Sequence, residues 1–274
     1  MTVTSTTESR RIKAGGVDTT YFDSGVGEPV ILIHGSGPGA SAWANWRKMI
    51  GPLSENFRVI ALDLVGWGTT ERPDDVWYSL ETWTDQVLGL MDALEVDEAS
   101  FVGNSLGGRI ALELASRHPE RVQRMVLMGS PGLGMVPTEA LKALRSYEPS
   151  YDAMEDLLVN VFVCDPVIIT PDLVLDRYEA SIAPGAHEAY RSMFFDEKHA
   201  GNDLGITPEV VSAIETPTLV VHGREDRVVP LQVGINMAQA LRNADMHVFG
   251  NCGHWTQLER ADDFNAVVEQ FLSS

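Results

Sequence analysis

The strongest chemical signal in the chain is a serine set between two glycines, Gly103-Asn104-Ser105-Leu106-Gly107. It forms a G-x-S-x-G turn between an apolar run at residues 100–103 and a helical pattern at residues 108–117. A strand-to-helix turn that sharp brings its flanking backbones close together, which is why glycines stand two residues before and after the serine. The strained conformation exposes the hydroxyl above the sheet, as nucleophilic attack requires. The turn also aims the first helical N–H groups, notably that of Leu106, at a site where an oxyanion can form.

A serine hydroxyl is a weak nucleophile at neutral pH, so it needs a base, and the base needs an orienting acid. Seven histidines compete for the first role. His34 and His222 stand at strand ends beside glycines and read as buried structural histidines. His118, in Arg117-His118-Pro119-Glu120, marks a helix terminus near the surface. His187 and His199 fall in a helical insertion, and His247 lies within the last strand. His254, in Asn251-Cys252-Gly253-His254-Trp255, follows that strand on a loop that can reach the sheet's edge, and is the expected base. Asp226 is the expected acid because the chain order Ser, Asp, His is the one this type of turn goes with. Glu225 and Asp245 are weaker alternates, and Glu225 should point away from its neighbour.

A second oxyanion donor is expected from the loop His34-Gly35-Ser36-Gly37-Pro38-Gly39-Ala40. Its three glycines let backbone approach a ligand closely. It lacks the Gly-Lys-Ser/Thr ending of a phosphate loop, so no nucleotide is expected there.

These residues need a scaffold. Apolar runs at 30–33, 59–62, 100–103, 124–128, 218–221 and 246–249 read as strands covered on both faces. Helical patterns at 80–94, 108–117 and 262–272 alternate with them, which predicts a mostly parallel sheet flanked by helices. Extended segments at 9–14 and 19–22 suggest an antiparallel edge hairpin. The alternation breaks between residues 133 and 205, where helical patterns at 138–146, 150–163, 171–181 and 186–195 appear without strands. We read three parts: core residues 1–132, a helical lid at 133–205, and core residues 206–274.

Hydrophobic residues make up 44% of the chain and charged ones 22%, which excludes a disordered or fibrous protein. A formal charge of −19 argues against nucleic acid or an anionic membrane surface as partner. An anionic substrate must then be held by a local cation. Two cysteines, Cys164 and Cys252, make no disulfide framework and no paired metal motif, and suit a cytoplasmic setting. The first thirteen residues have no apolar run and read as a tail rather than a signal peptide. Neither a metal nor a cofactor is expected.

The chain resembles the α/β-hydrolase family from about residue 21 to residue 272. Within it, it is similar to the meta-cleavage-product hydrolases, carbon–carbon bond hydrolases of bacterial aromatic catabolism that act on 2-hydroxymuconic semialdehyde and 2-hydroxy-6-oxo-alkyldienoates. The resemblance rests on His34-Gly35-Ser36-Gly37-Pro38-Gly39, Trp43-Ala44-Asn45-Trp46, Gly103-Asn104-Ser105-Leu106-Gly107-Gly108, Arg177-Tyr178-Glu179 and Gly253-His254-Trp255. It implies Ser36 and Leu106 N–H groups as the oxyanion hole, with Gly37, Asn45, Asn104, Arg177 and Trp255 around a dienoate. A guanidinium suits the carboxylate because it can bond it bidentately. The plainer alternatives are a salt bridge from Arg177 to Glu179 or Asp176, and Trp255 as packing. Leu106 stands where several relatives carry Met or Phe. The Ser36 loop with Ala44-Asn45-Trp46 is more similar to members serving monocyclic substrates, which favours a small group on the ketone. Met135, Leu144, Tyr147, Leu158, Phe162 and Val163 are candidates for setting that size, most of them also candidates for the lid's own core. The resemblance alone implies a homo-oligomer. Rival readings are a carboxylesterase or lactonase with the same triad, and a non-catalytic receptor of the same fold.

Overall fold

The computed structural model describes residues 8–195 and 204–274; His199 lies outside them. Eight strands form one sheet: β1 (Arg10–Ala14), β2 (Val17–Ser24), β3 (Pro29–Ile33), β4 (Arg58–Leu62), β5 (Ala99–Asn104), β6 (Val122–Met128), β7 (Thr218–Gly223) and β8 (Ala244–Phe249). Their spatial order is β1-β2-β4-β3-β5-β6-β7-β8. β2 is antiparallel to β1 and β4, and the remaining pairs are parallel. The first hairpin turns on Gly15 and Gly16, at φ 57° and 86°, a pair of positive values that suits a two-residue turn matched to strand twist.

Neighbouring residues of the central strands point into two different cores. Ile31, Ile33, Phe101, Leu127 and Val220 pack with α2 (Leu80–Ala93) and α3 (Leu106–Arg117) on one face. Val30, Leu32, Val102, Val126 and Val221 pack on the other with α1 (Ala42–Leu53) and, at the chain's end, α10 (Ala261–Leu272). Burial on both faces explains why these strands are continuous apolar runs rather than alternating ones. The last strand departs from the expectation. β8 is a sheet edge, paired with β7 alone, and it leaves a residue of each face exposed, Asp245 on one and Val248 on the other.

Two crossover helices escaped the sequence reading. α1 is capped by the Ser41 hydroxyl, which accepts the Ala44 N–H, and it buries Ala42, Asn45, Trp46, Met49, Ile50 and Leu53 at helical spacing. Gly51 and Pro52 in its last turn disguise it. α9 (Leu231–Ala240) starts after Pro230 and carries Gly234 against the His222 ring.

Between β6 and β7 the described residues form helices only: α4 (Glu139–Arg145), α5 (Tyr151–Leu157), α6 (Pro171–Ser181), α7 (Ala186–Phe195) and α8 (Pro208–Ala213). Ser and Thr side chains cap α4, α5, α6 and α8, which fixes their starts. The expected single helix over 150–163 is two pieces. α5 ends at Leu157 and a π-helical turn, Leu158–Phe162, continues it. This insertion has its own core around Leu144, Tyr147, Leu158, Phe162 and Val163, joined to Val228, Val229 and Trp255 of the main body. Among the described residues no helix is long and apolar enough to cross a membrane.

Candidate active site

The predicted residues gather at the carboxyl ends of parallel strands, where ligands of open α/β sheets bind. Ser105 follows β5 and caps α3 with φ 51° and ψ −114°, a strained conformation for a residue with a side chain. Its N–H donates to the Met128 carbonyl at 2.8 Å, which anchors the turn to β6. A Cβ on Gly103 would collide with the Gly107 backbone, and one on Gly107 with the Ile33 carbonyl. No larger residue fits either position.

Asp226 follows β7 and His254 follows β8. His254 Nδ1 lies 2.7 Å from Asp226 Oδ2, with both side chains essentially sealed from solvent. The other carboxylate oxygen accepts the N–H groups of Val228 and Val229 at 2.8 and 2.9 Å, so it cannot rotate away. His222 Nε2 donates to the Val229 carbonyl at 2.8 Å and stands 3.5 Å from the same Asp226 Oδ2. Burial holds His222 below the usual histidine pKa, which keeps it neutral. Glu225 turns outward, to Arg224 and the Cys252 N–H, and Asp245 is exposed on β8.

Three positioning features were not read from the sequence. Gly129, just past β6, has φ 51°, and a Cβ there would lie 3.0 Å from His254 Nδ1 and 3.1 Å from Asp226 Oδ2. A glycine directly after a predicted strand was the available signal. The π-turn supplies the Phe162 carbonyl, which accepts the His254 N–H at 2.7 Å. Glu259 clamps the histidine loop to the insertion by accepting the N–H groups of Gly253 and Cys164, both at 2.7 Å.

Two cavities meet at Ser105, and Ser36, Ser105 and Leu144 line both. The smaller is polar: Gly37, Asn45, Asn104, Arg177, His254 and Trp255 surround it. Arg177 is buried, with Cζ 5.1 Å from the Trp255 ring centroid; Trp255 in turn stacks on Phe162 at 4.3 Å. Its Nε is buried without a hydrogen-bond partner, as is Asn45 Nδ2. Among the described residues Arg177 makes no ion pair with Glu179, Asp176 or any other carboxylate. Burial, and next the repulsion of Arg47, push its pKa down to about 10, leaving it charged at neutral pH. A Cβ on Gly37 would meet both Arg177 and Phe162 at 3.0 Å.

The larger cavity, about 450 Å³, is mostly apolar and includes Met135, Leu144 and Leu106 in its wall. Of the other size-setting candidates, Phe162 borders the polar cavity, while Tyr147, Leu158 and Val163 pack in the insertion's core. Leu106 opens α3, so its N–H has no partner within the helix, and Ser36 lines both cavities beside Ser105. His34 holds the Ser36 loop. Its Nε2 accepts the Leu64 N–H at 3.0 Å, so the ring proton sits on Nδ1 and is donated to the Gly35 carbonyl at 2.7 Å. Burial lowers its pKa to about 4. Of the remaining histidines, His118 caps the end of α3, His187 pairs with Glu148, and His247 packs on Phe249.

The α/β hydrolase fold model matches residues 28–261. The chain is 47% identical over 265 residues to the 2-hydroxymuconate semialdehyde hydrolase of Pseudomonas sp. strain CF600, covering 96% of this chain and 93% of the relative. It is 42% identical over 266 residues to the 2-hydroxy-6-oxo-2,4-heptadienoate hydrolase of Pseudomonas putida, covering 97% and 96%. A solved meta-cleavage product hydrolase from Pseudomonas fluorescens IP01, a serine-to-alanine mutant complexed with acetates, superposes with a TM-score of 0.93 at 48% identity, covering 96% of this chain and 97% of that one. Sequence, topology and a buried His254–Asp226 pair lining the same cavity as Ser105 agree: the chain belongs to the α/β-hydrolase fold family and, within it, to the meta-cleavage product hydrolases.

Proposed function

We propose that the chain hydrolyses a carbon–carbon bond of a 2-hydroxy-6-oxohexa-2,4-dienoate, with Ser105 as nucleophile, His254 as base and Asp226 as its orienting acid. The observation that carries this reading is Arg177, a charged guanidinium in the polar cavity beside Ser105, buried and, among the described residues, without an ion pair. An enzyme for neutral esters has no use for such a cation; a dienoate carboxylate does. Carbon leaves only as a stabilised anion, so the dienol must first ketonise. His254 takes the proton from the 2-hydroxyl and returns it to C5, while Arg177 and Asn104 hold the carboxylate end, with Gly37, Asn45 and Trp255 around it. Ser105 then attacks the remote ketone, and the N–H groups of Ser36 and Leu106 receive the oxyanion. Collapse breaks the C5–C6 bond and releases 2-hydroxypenta-2,4-dienoate. Water, activated by His254, cleaves the acyl–enzyme to a carboxylic acid.

The ketone substituent, a short one on the sequence reading, lies in the apolar cavity. Residues 133–205 serve as a lid across the two core parts, 1–132 and 206–274. The two free cysteines suit a reducing cytoplasm.

The test is an absorbance time course with 2-hydroxy-6-oxohepta-2,4-dienoate and identification of both products. Bleaching that yields the pentadienoate and acetate is expected. Failure to bleach alongside brisk hydrolysis of a p-nitrophenyl ester would reduce the protein to an ordinary esterase. Arg177→Gln should impair dienoate cleavage far more than ester hydrolysis, and equal losses would remove Arg177 from the carboxylate role.

A further inference from the structure

The loop that carries His254 lies directly on the insertion. A Cβ on Gly253 would come within 2.8 Å of both the Cys164 nitrogen and the Phe162 carbonyl oxygen, so the two backbones meet with no room for a side chain. The π-turn ends at Phe162, whose carbonyl is left without a partner along the helix and accepts the His254 N–H. The Phe162 ring stacks on the imidazole with centroids 6.0 Å apart. Glu259, at the end of the short helical turn Thr256–Glu259, closes the arrangement from the side. Its Oε2 accepts the N–H groups of Cys164 and Asp165 at 2.7 and 3.2 Å. Its Oε1 accepts that of Gly253 at 2.7 Å, with the Cys252 thiol 3.9 Å away.

Every one of these partners is a donor, and among the described residues no cation pairs with the carboxylate. Arg260 beside it pairs with Asp263, Arg224 pairs with Glu225, and Arg227 donates to the Asn160 carbonyl. Burial raises the Glu259 pKa, and the negative Asp165 adds to that rise. A partly buried carboxylate with no cation is unfavourable unless backbone donors need acceptors at that point. Here two sets do: one on the insertion, the other on the residue before His254.

We propose that Glu259 is a positioning residue for the catalytic histidine, holding the His254 loop and residues 162–165 of the insertion as one unit, so that the imidazole keeps its place over Ser105 only while the insertion is seated. Glu259 touches no substrate, and the inference rests on the triad assigned above. Because both oxygens accept, a Gln of the same shape cannot replace it: an NH₂ group would then face an N–H on one side. A displaced His254 weakens every proton transfer in the reaction, and a misplacement of about 1 Å costs on the order of a hundredfold in rate. In the same reading Arg177 holds the dienoate carboxylate from α6, outside the contact at residues 162–165, so the loss falls on kcat rather than KM.

The experiment measures kcat and KM of the full chain and its variants on 2-hydroxy-6-oxohepta-2,4-dienoate and on a p-nitrophenyl ester. Alongside, proton NMR follows the low-field His254 Nδ1–H resonance, which reports the 2.7 Å contact with Asp226. On whichever substrate the parent turns over, Glu259→Gln should lower kcat at least tenfold, about 1.4 kcal/mol. It should leave KM within about twofold and shift or broaden the resonance. Gly253→Ala presses the same two backbones apart from the other side and should give the same signature; it decides the matter where Glu259→Gln does not fold. A kcat within about twofold of the parent in either folded variant, an effect on KM alone, or a fall in kcat with the resonance unchanged would overturn the assignment. A parent that hydrolyses the ester but not the dienoate would overturn the carbon–carbon reading instead, with the Glu259 comparison then read on the ester. A parent that turns over neither would overturn both.

Discussion

Replacing Asp226 with Asn isolates the orienting role, because it removes one charge and inverts one hydrogen bond while leaving the side chain's shape. Oδ1 keeps both N–H partners, Val228 and Val229 at 2.8 and 2.9 Å. The oxygen 2.7 Å from His254 Nδ1 becomes an NH₂ group. Nδ1 must then accept rather than donate, the ring proton moves to Nε2, and the imidazole can no longer take the Ser105 proton. The same inversion in serine proteases costs roughly 10⁴-fold in kcat, about 5.4 kcal/mol, and a pair this buried should lose as much. The fold should barely notice. Two hydrogen bonds weaken from charge-assisted to neutral, about 1 kcal/mol each, and relief of a buried carboxylate's desolvation offsets part of that. We expect Asp226→Asn to lose three to four orders of magnitude in kcat for dienoate bleaching at saturating substrate, on the order of the cited effect. Its unfolding free energy should shift by less than about 2 kcal/mol. A variant within tenfold of the parent in kcat, still folded by circular dichroism, would refute the tautomer argument.

Gly129→Ala should also act through the histidine. Its φ of 51° costs a residue with a side chain about 1–2 kcal/mol, and the added methyl would press on His254 Nδ1 and Asp226 Oδ2 at 3.0 and 3.1 Å. Steady-state kinetics should show kcat down at least tenfold with KM little changed; a variant that is merely less stable, with kcat intact, would show that the glycine serves only the backbone. His34 makes a pH prediction. Its folded pKa of about 4 lies below the ordinary 6.5, so between those values the unfolded chain binds more protons and stability falls as pH falls. From pH 7 to pH 5 this group should remove about 2 kcal/mol in urea unfolding, and His34→Gln should flatten that slope. Stability that stayed level or rose over that interval would contradict a buried neutral His34.

The parts legible in the sequence are those whose signal is local. The elbow around Ser105 declares itself because the glycines it needs are two residues away, and the apolar runs declare the central strands because both faces are covered. The Asp226 and His254 positions follow from chain order at strand ends. What was hidden depends on contacts distant in sequence. Gly129 matters because two loops from β7 and β8 close over it. The 150–163 pattern reads as one helix because a π-turn keeps nearly helical side-chain spacing while displacing the Phe162 carbonyl toward His254. α1 carried Pro52 in its last turn, where the missing N–H is tolerable only because the helix is ending. β8 looked buried because Met246, Val248 and Phe249 are apolar, yet as the last strand of the sheet it leaves Asp245 and Val248, on opposite faces, exposed.

The charge balance of the chain gives Arg177 its meaning. With −19 overall, long-range attraction cannot deliver an anionic dienoate, and salt screens such attraction beyond about 8 Å in any case. A cation withdrawn from water works differently. At 4 Å an opposite charge is worth about 1 kcal/mol in bulk water and about 4 kcal/mol at the effective dielectric of a protein pocket. The cost of that arrangement falls on the folded chain: Arg177 loses hydration and is repelled by Arg47. A salt bridge to Asp176 or Glu179 would have relieved both penalties and cancelled the attraction. Its absence among the described residues is what fits Arg177 to the carboxylate-holding role proposed for it rather than to a structural one. The same distinction applies within this molecule to Arg109, buried on α3 but paired to Glu113 at 3.0 Å and bonded to the Leu204 and Gly205 carbonyls, which holds structure and faces no substrate.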